Sequence, residues 1–179
     1  MQGLLGLARA IDALNERVGR LTMWLVLVTT LISAANALVR YGFGESSNAW
    51  LEIQWYLFGA LFLLASGYTL KHNGHVRIDL IYGRLSPRGR AWVDLLGGVF
   101  FLLPFCGLII WYAWPMFTLA WVSHEMSPDA GGLLRWPVKL LIPVGFSLLA
   151  LQGVAEIIKR IGVLTGMLVL ENEAPMEAV

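Results

Sequence analysis

The chain has 179 residues, 58% of them hydrophobic and only 14% charged. Soluble domains carry about a quarter charged residues, so there is too little polar side chain to cover a soluble surface, and the long apolar blocks point to the membrane class. A formal net charge of +1 gives no basic or acidic character that would explain a nucleic-acid partner, and the one cysteine, Cys106, rules out an intrachain disulfide and lacks partners for a thiolate metal site.

Residues 1–20 precede the first long apolar run. Leu4, Leu7, Ile11, Leu14 and Val18 recur at spacings of three and four, while Arg9, Asp12, Glu16 and Arg20 fall on other faces. This pattern predicts an amphipathic interfacial helix lying in the membrane surface. A helix packed against a partner's cytoplasmic side fits the same pattern. Leu21 to Ile32 resembles a signal-peptide core, and Ala35-Asn36-Ala37 a small-residue cleavage site. The leader nevertheless contains Asp12 and Glu16 and is long for a signal peptide, so a retained helix is expected.

The first span is expected over residues 21–39, which contain no charge and end at Arg40. Such a segment reaches roughly 28 Å, close to the thickness of a hydrocarbon core. Thr29, Thr30, Ser33 and Asn36 are its polar or small positions and favour helix–helix contact. A glycine-containing loop, 41–50, leads into a second span over 51–70, with Glu52 and Gln54 near a membrane face. Residues 71–91 are the most polar internal stretch and hold Lys71, Arg77, Arg84, Arg88 and Arg90. A short interfacial connector is expected there, with a helix-ending turn at Asn73-Gly74 and a new helix started by Ser86 as cap and Pro87 at the first position. The third span, 92–121, is longer than a bilayer core and has Pro104 and Pro115 as places to bend. A turn-rich loop, 122–135, precedes the fourth span over 136–158, with Pro143 as a possible kink. Together residues 21–160 form a four-helix membrane domain, and 161–179 an acidic cytoplasmic tail.

Basic residues set the orientation. Arg9, Arg17, Arg20, the five in 71–91, Lys159 and Arg160 lie on one side, and Arg40, Arg135 and Lys139 on the other. Over short loops this asymmetry places the first group, with both termini, in the cytoplasm. Trp24 and Trp92 fall toward the inner face, and Trp50, Trp55, Trp121 and Trp136 toward the outer face, as headgroup-level rings do. Trp111 and Trp114 fit a belt less well and are expected to pack in a bundle or against a partner.

Chemistry-bearing residues are sparse. His72 and His75 lie on the cytoplasmic side and His124 on the other, which disfavours haem ligation across the bundle and a three-histidine zinc site. No phosphate-binding glycine motif or nucleophile elbow is present, so neither an enzyme nor a cofactor site is expected. Transporters driven by ions keep ionisable groups near the membrane centre, and the middle of every span here lacks a charge. An accessory subunit fits this pattern better than a self-sufficient carrier. Glu52 needs hydration or a donor, with Arg40, Lys139 or another subunit as candidate partners. Glu156 and Arg160 have the spacing of a helical ion pair. Arg40, Glu52, Glu125, Asp129 and Lys139 are the candidate contacts on the periplasmic side. His75, Arg77, Asp79, Arg84 and Arg88 are candidates for lipid or subunit contact on the cytoplasmic side.

Particular stretches carry a family resemblance. RYGFG at 40–44 is followed by Trp50 and Glu52 at the start of the second span, then by Gly74-His75-Val76-Arg77-Ile78-Asp79, then by Pro87, Arg88 and Asp94. With PVKLLIPVGFSLLALQGV at 137–154, the ordered set resembles the small membrane subunit of tripartite ATP-independent periplasmic (TRAP) transporters, the DctQ-like family. That family often carries paired acids near Glu52, whereas Ile53 follows here, which weakens any mechanism needing two carboxylates. The resemblance implies a bacterial inner-membrane importer of organic acids driven by the sodium gradient. Its implied partners are a large membrane subunit, a periplasmic substrate-binding protein and membrane lipids, with this chain as a scaffold. A membrane anchor of a respiratory complex and a small oligomeric channel are the alternative readings.

Overall fold

The structure, a computed structural model, describes residues 2–45, 47–75 and 82–168. Among the described residues six α-helices carry the fold: α1 (Gln2–Phe43), α2 (Asn48–Leu64), α3 (Ser66–Lys71), α4 (Pro87–Gly97), α5 (Leu103–Val122) and α6 (Trp136–Leu164). A π-helical turn, Gly98–Leu102, joins α4 to α5. Among the described residues there is no sheet, only an isolated antiparallel bridge between Met126 and Leu134. Four helical stretches among the described residues are long and apolar enough to cross a membrane: α1, α2 with α3, α4 through α5, and α6. The chain is an all-α, multi-pass membrane protein.

The first departure from the sequence pattern is α1. It runs unbroken through the boundary placed at residue 20. Instead of forming a separate surface helix, its N-terminal half packs on the bundle through Ala8, Ile11, Asn15, Gly19 and Thr22. Ala8 and Ile11 form a small apolar cluster with Ala155 and Ile158 of α6. Gly19 does not break the helix, because it serves as a contact surface for the ring of Tyr68: a Cβ there would lie 2.4 Å from ring carbons.

The second span is also divided. Ala65, at φ −79° and ψ −7°, separates α2 from α3. The Ser66 hydroxyl donates to the Leu63 carbonyl at 2.7 Å and so stabilises the local turn. Helix α3 then ends as expected at Asn73, which adopts φ 53°, with the Gly74 N–H bonded back to the Thr69 carbonyl at 2.9 Å. The expected start at Ser86-Pro87 is present, the Ser86 hydroxyl accepting from the Gly89 N–H at 3.2 Å. Pro104 shapes the third span through the turn before it. The Leu103 N–H reaches back five residues to the Gly98 carbonyl, a widening that relieves the clash a proline ring makes with the preceding turn.

Helix α6 is the hub. It touches α1, α2, α3, α4, the π turn and α5. Close approach depends on glycine, as is usual where helices associate among lipid tails. A Cβ on Gly145 would fall 2.8 Å from the Leu63 carbonyl oxygen, and one on Gly153 2.8 Å from Leu102. One end of the bundle, which holds residues 2 and 168, is tied by a polar network. Asn15 Nδ2 donates to Gln152 Oε1 at 2.9 Å, and Gln152 Nε2 donates to Asp12 at 2.6 Å and Glu156 at 3.0 Å. Lys159 bridges Asp12 and Glu156, while Glu16 accepts from Lys71 at 2.7 Å and pairs with Arg20. The Glu156–Arg160 pairing suggested by spacing gives way to other partners: Glu156 bonds Lys159 at 2.5 Å, and Arg160 bonds Asp94 of α4 at 3.1 Å. The reason is geometric, since Arg160 is buried on the face of α6 turned toward α4.

Trp111 and Trp114 are 77% and 54% exposed, so this chain's own bundle does not cover them. Cys106 is fully buried, as its apolar setting suggests.

Replacing Gly145 with valine puts branched carbon where the Leu63 backbone sits. We expect a loss of about 1–3 kcal/mol of stability, read as earlier thermal unfolding in detergent by tryptophan fluorescence. Gly107→Ala, at a position with open space around it, is expected to leave the transition unchanged.

Candidate functional site: a clasped loop at the second end of the bundle

The opposite end of the bundle is organised by the start of α2 and the loop between α5 and α6. Helix α5 ends in a turn where His124 adopts φ 47° and the Glu125 N–H bonds back to the Ala120 carbonyl at 3.1 Å. The chain then doubles back. The Ser127 N–H donates to the Leu133 carbonyl at 2.9 Å, and the Arg135 N–H to the Glu125 carbonyl at 2.8 Å. Gly131, at φ 72°, and the Gly132 N–H bond to the Asp129 carbonyl at 3.0 Å close the tip.

Glu52 fastens this loop to α2. Its residue is 2% exposed. One carboxylate oxygen accepts from the Ser127 hydroxyl, and the other accepts from the Leu133 N–H at 2.7 Å. Arg135 stands 3.8 Å from the carboxylate, donates to the Ser127 oxygen at 3.2 Å, and lies 5.1 Å from the centre of the Trp55 ring. One turn along, Tyr56 donates to the Leu134 carbonyl at 3.1 Å, and Asn48 donates to the Ala130 carbonyl at 2.9 Å. No side chain fits at Gly132, where a Cβ would sit 2.9 Å from a Glu52 oxygen. Both carboxylate oxygens thus hold the loop against α2.

Three of the five residues expected on this side come together. Glu52 is the centre of the clasp, and Lys139 and Glu125 form an adjoining ion pair at 2.5 Å. The cation nearest Glu52 is Arg135 rather than Arg40 or Lys139, because the doubled-back loop lays Arg135 against the first turns of α2. Asp129 sits on the exposed tip beside Pro128 and Ala130. Arg40 is exposed in the last turn of α1. The sequence places Arg135 and Trp55 on this side but ties neither them nor Ser127, Asn48 and Tyr56 to Glu52. The available signal was the spacing of Glu52, Trp55 and Tyr56, which puts all three on one face of a helix.

On the other end, His75, Arg84 and Arg88 are exposed. Arg77 and Asp79 lie outside the described residues.

Removing the carboxylate leaves the Leu133 N–H and the Ser127 hydroxyl without their acceptor. Glu52→Ala is therefore expected to free the loop, with limited proteolysis within residues 123–135 becoming on the order of ten times faster. Glu52→Gln, which retains one acceptor oxygen, should fall between the two.

Comparison with known proteins places this architecture. Residues 29–162 match the family model described as tripartite ATP-independent periplasmic transporters, DctQ component. A protein named as a TRAP transporter small permease protein from Haemophilus influenzae is 27% identical over 118 residues, covering 66% of this chain and 71% of that protein. The ectoine TRAP transporter small permease protein TeaB of Halomonas elongata is 25% identical over 160 residues, covering 89% of this chain and 82% of the relative. No solved structure matches the chain. The matched segment takes in the last part of α1, the Glu52 clasp and α6 through Gly162, and the chain belongs to the DctQ family of small TRAP transporter membrane components.

Proposed function

We propose that this chain is the non-enzymatic scaffold of a sodium-gradient-driven TRAP importer of organic acids in the bacterial inner membrane, with both termini in the cytoplasm. It stabilises the large transport subunit, and its clasped loop helps to dock the periplasmic substrate-binding protein. The observation that carries the scaffold reading is where the ionic groups sit. The ion pairs cluster at the two ends of the bundle, around Asp12, Glu16 and Lys159 at one and around Glu52, Glu125 and Arg135 at the other. Between them the helices meet through apolar and small residues and one uncharged polar contact, Ser33 of α1 donating to Gln54 of α2 at 2.6 Å. A framework needs fixed ends and a packed middle, whereas a carrier needs polar groups it can present at the membrane centre.

The loop end supports the docking role. Its backbone is held by side chains from α2, so it offers a preformed surface, and a preformed surface costs less ordering entropy when a partner binds. Asp129 at the tip supplies an unshared acidic group for a basic patch on the binding protein. Lipids and the large subunit take up the cytoplasmic side, where His75, Arg84 and Arg88 are exposed and where Arg77 and Asp79 lie close in sequence.

Uptake into reconstituted vesicles tests the scaffold role. The large subunit and binding protein with this chain are expected to accumulate a labelled organic acid under an inward sodium gradient. Omission of the chain should lower the rate at least about tenfold, and full uptake without it would overturn the reading. Alanine replacement of His75, Arg77 and Asp79 together is expected to reduce co-purification with the large subunit while leaving substrate competition unchanged. An altered substrate profile with intact assembly would contradict this.

A further inference from the structure

A pocket beside the first half of α1 is lined almost wholly by charge. Arg9, Asp12, Glu16, Arg17, Arg20 and Lys71 surround a cavity of about 420 Å³, with Ala13 as its small side chain. Four cations face two carboxylates there, so the lining is net positive.

Both carboxylates are already engaged. Asp12 pairs with Lys159 at 3.2 Å and accepts from the Gln152 amide at 2.6 Å. Glu16 meets Lys71 at 2.7 Å, His72 at 2.9 Å and Arg20 at 2.9 Å. What remains turned outward is cationic. Arg17 is exposed and makes no ion pair or hydrogen bond among the described residues. Arg9 is exposed, and its Nε donates to the Leu5 carbonyl of its own helix at 3.4 Å. Arg20 stays exposed in spite of its pair with Glu16. Glu16 also prepares the site. By holding Lys71 and Arg20 on one carboxylate it fixes two of the cations in advance, so less side-chain freedom is lost when an anion binds.

The same face of α1 becomes apolar beyond the pocket. Met23, Leu27 and Leu31 follow Arg20 at steps of three and four, which keeps them on one side of the helix, and all three are exposed. They belong to the charge-free segment that begins at Leu21, the part of α1 suited to the hydrocarbon layer. A free phosphate or an acidic peptide in water would use the cations and nothing beyond them. An anionic lipid uses both parts of the face. Basic pockets beside transmembrane helices at headgroup level recognise such lipids, and the guanidinium fork matches phosphate oxygens.

We propose that this pocket is a site for one anionic glycerophospholipid of the leaflet on the side of residue 2. Its phosphodiester meets Arg17 and Arg20. Its headgroup lies over Ala13, one turn from Arg17, with Arg9 beyond, and its chains run along Met23 and Leu27. The site goes beyond the scaffold reading, since it needs neither the large subunit nor the transport reaction.

The test uses the full chain, purified in mild detergent and titrated with an equal mixture of phosphatidylglycerol and phosphatidylethanolamine. Bound lipid is counted by native mass spectrometry. Phosphatidylglycerol is expected to be retained at least about fivefold over phosphatidylethanolamine, the factor that one cation at the membrane surface contributes. Arg17→Gln should lower that retention about fivefold, and Arg9→Gln with Arg17→Gln at least about tenfold. Gln2→Glu removes the same unit of charge in the exposed first turn of α1 and should leave retention within about twofold. Circular dichroism should be the same for all variants, because the substituted side chains are exposed. In the unmodified chain, phosphatidylglycerol with a photoreactive diazirine on its headgroup should crosslink within residues 9–20.

Equal retention of the two lipids overturns the proposal. So does an equal loss in Arg17→Gln and Gln2→Glu, which would reduce the preference to overall charge. Displacement of phosphatidylglycerol by millimolar inorganic phosphate would make the pocket a site for free anions, and crosslinks centred outside residues 9–20 would put the lipid elsewhere. Either result defeats the assignment.

Discussion

A fully buried pair of amides, Asn15 on α1 and Gln152 on α6, is the contact on which the arrangement of the helices depends. Among lipid tails the hydrophobic effect does not drive one apolar helix against another, so register comes from close packing and from interhelical hydrogen bonds. Such a bond contributes about 1–2 kcal/mol in model helices, and its geometric demand matters more than its energy. Sliding α1 by one turn would move Asn15 about 5.4 Å and break its bond to Gln152, leaving the buried Gln152 Oε1 without that donor. Gly67 belongs to the same arrangement, because a Cβ there would fall 2.8 Å from the Asn15 carboxamide carbon and 3.1 Å from the Leu148 carbonyl oxygen. From Gln152 the network passes to Asp12 and Glu156, and through both to Lys159. One residue pair thereby fixes the depth at which α1, α3 and α6 meet.

The two ends of the bundle solve one problem by different means. At the end with Asp12 the charges lie on helices and pair across them. At the other end Glu52 reaches from a helix to a loop and satisfies backbone and hydroxyl donors. The second arrangement holds irregular chain in place, which suits a surface that must be recognised in a fixed shape. The first fixes helix against helix, which suits a frame against which another part moves.

Sequence made the spans legible because a run of apolar residues has few other uses. It also showed the caps at Ser86 and Asn73, where local chemistry decides the outcome. The continuity of α1 was not legible. An amphipathic stretch followed by an apolar one reads as two segments, yet the backbone between them carries no breaker stronger than Gly19, and Tyr68 uses that glycine. The partner of Glu52 was hidden for another reason. Arg135 is far away in sequence and is delivered by the way the 123–135 loop doubles back, which no local pattern encodes. Arg160 shows the same limit: its helical neighbour Glu156 has the right spacing, but the tertiary arrangement offers Asp94. Ser127, Asn48 and Tyr56 carry no sign of the clasp in the sequence, because serine, asparagine and tyrosine at a membrane boundary are unremarkable until a loop is folded over them.

The π turn at Gly98–Leu102 has a consequence for the phase of the third span. Cys106, Ala113 and Ala120 are buried at steps of seven, but Ala91, also buried, precedes Cys106 by fifteen. Fifteen is two heptads and one residue over. In an unbroken α-helix fifteen steps of about 100° would set Cys106 about 60° round the axis from Ala91. The wide turn absorbs the surplus residue, so the row before it and the row after it face the same neighbour. The third span is in effect two in-phase helices with a one-residue spacer, and its length in residues overstates its length in helical register by one.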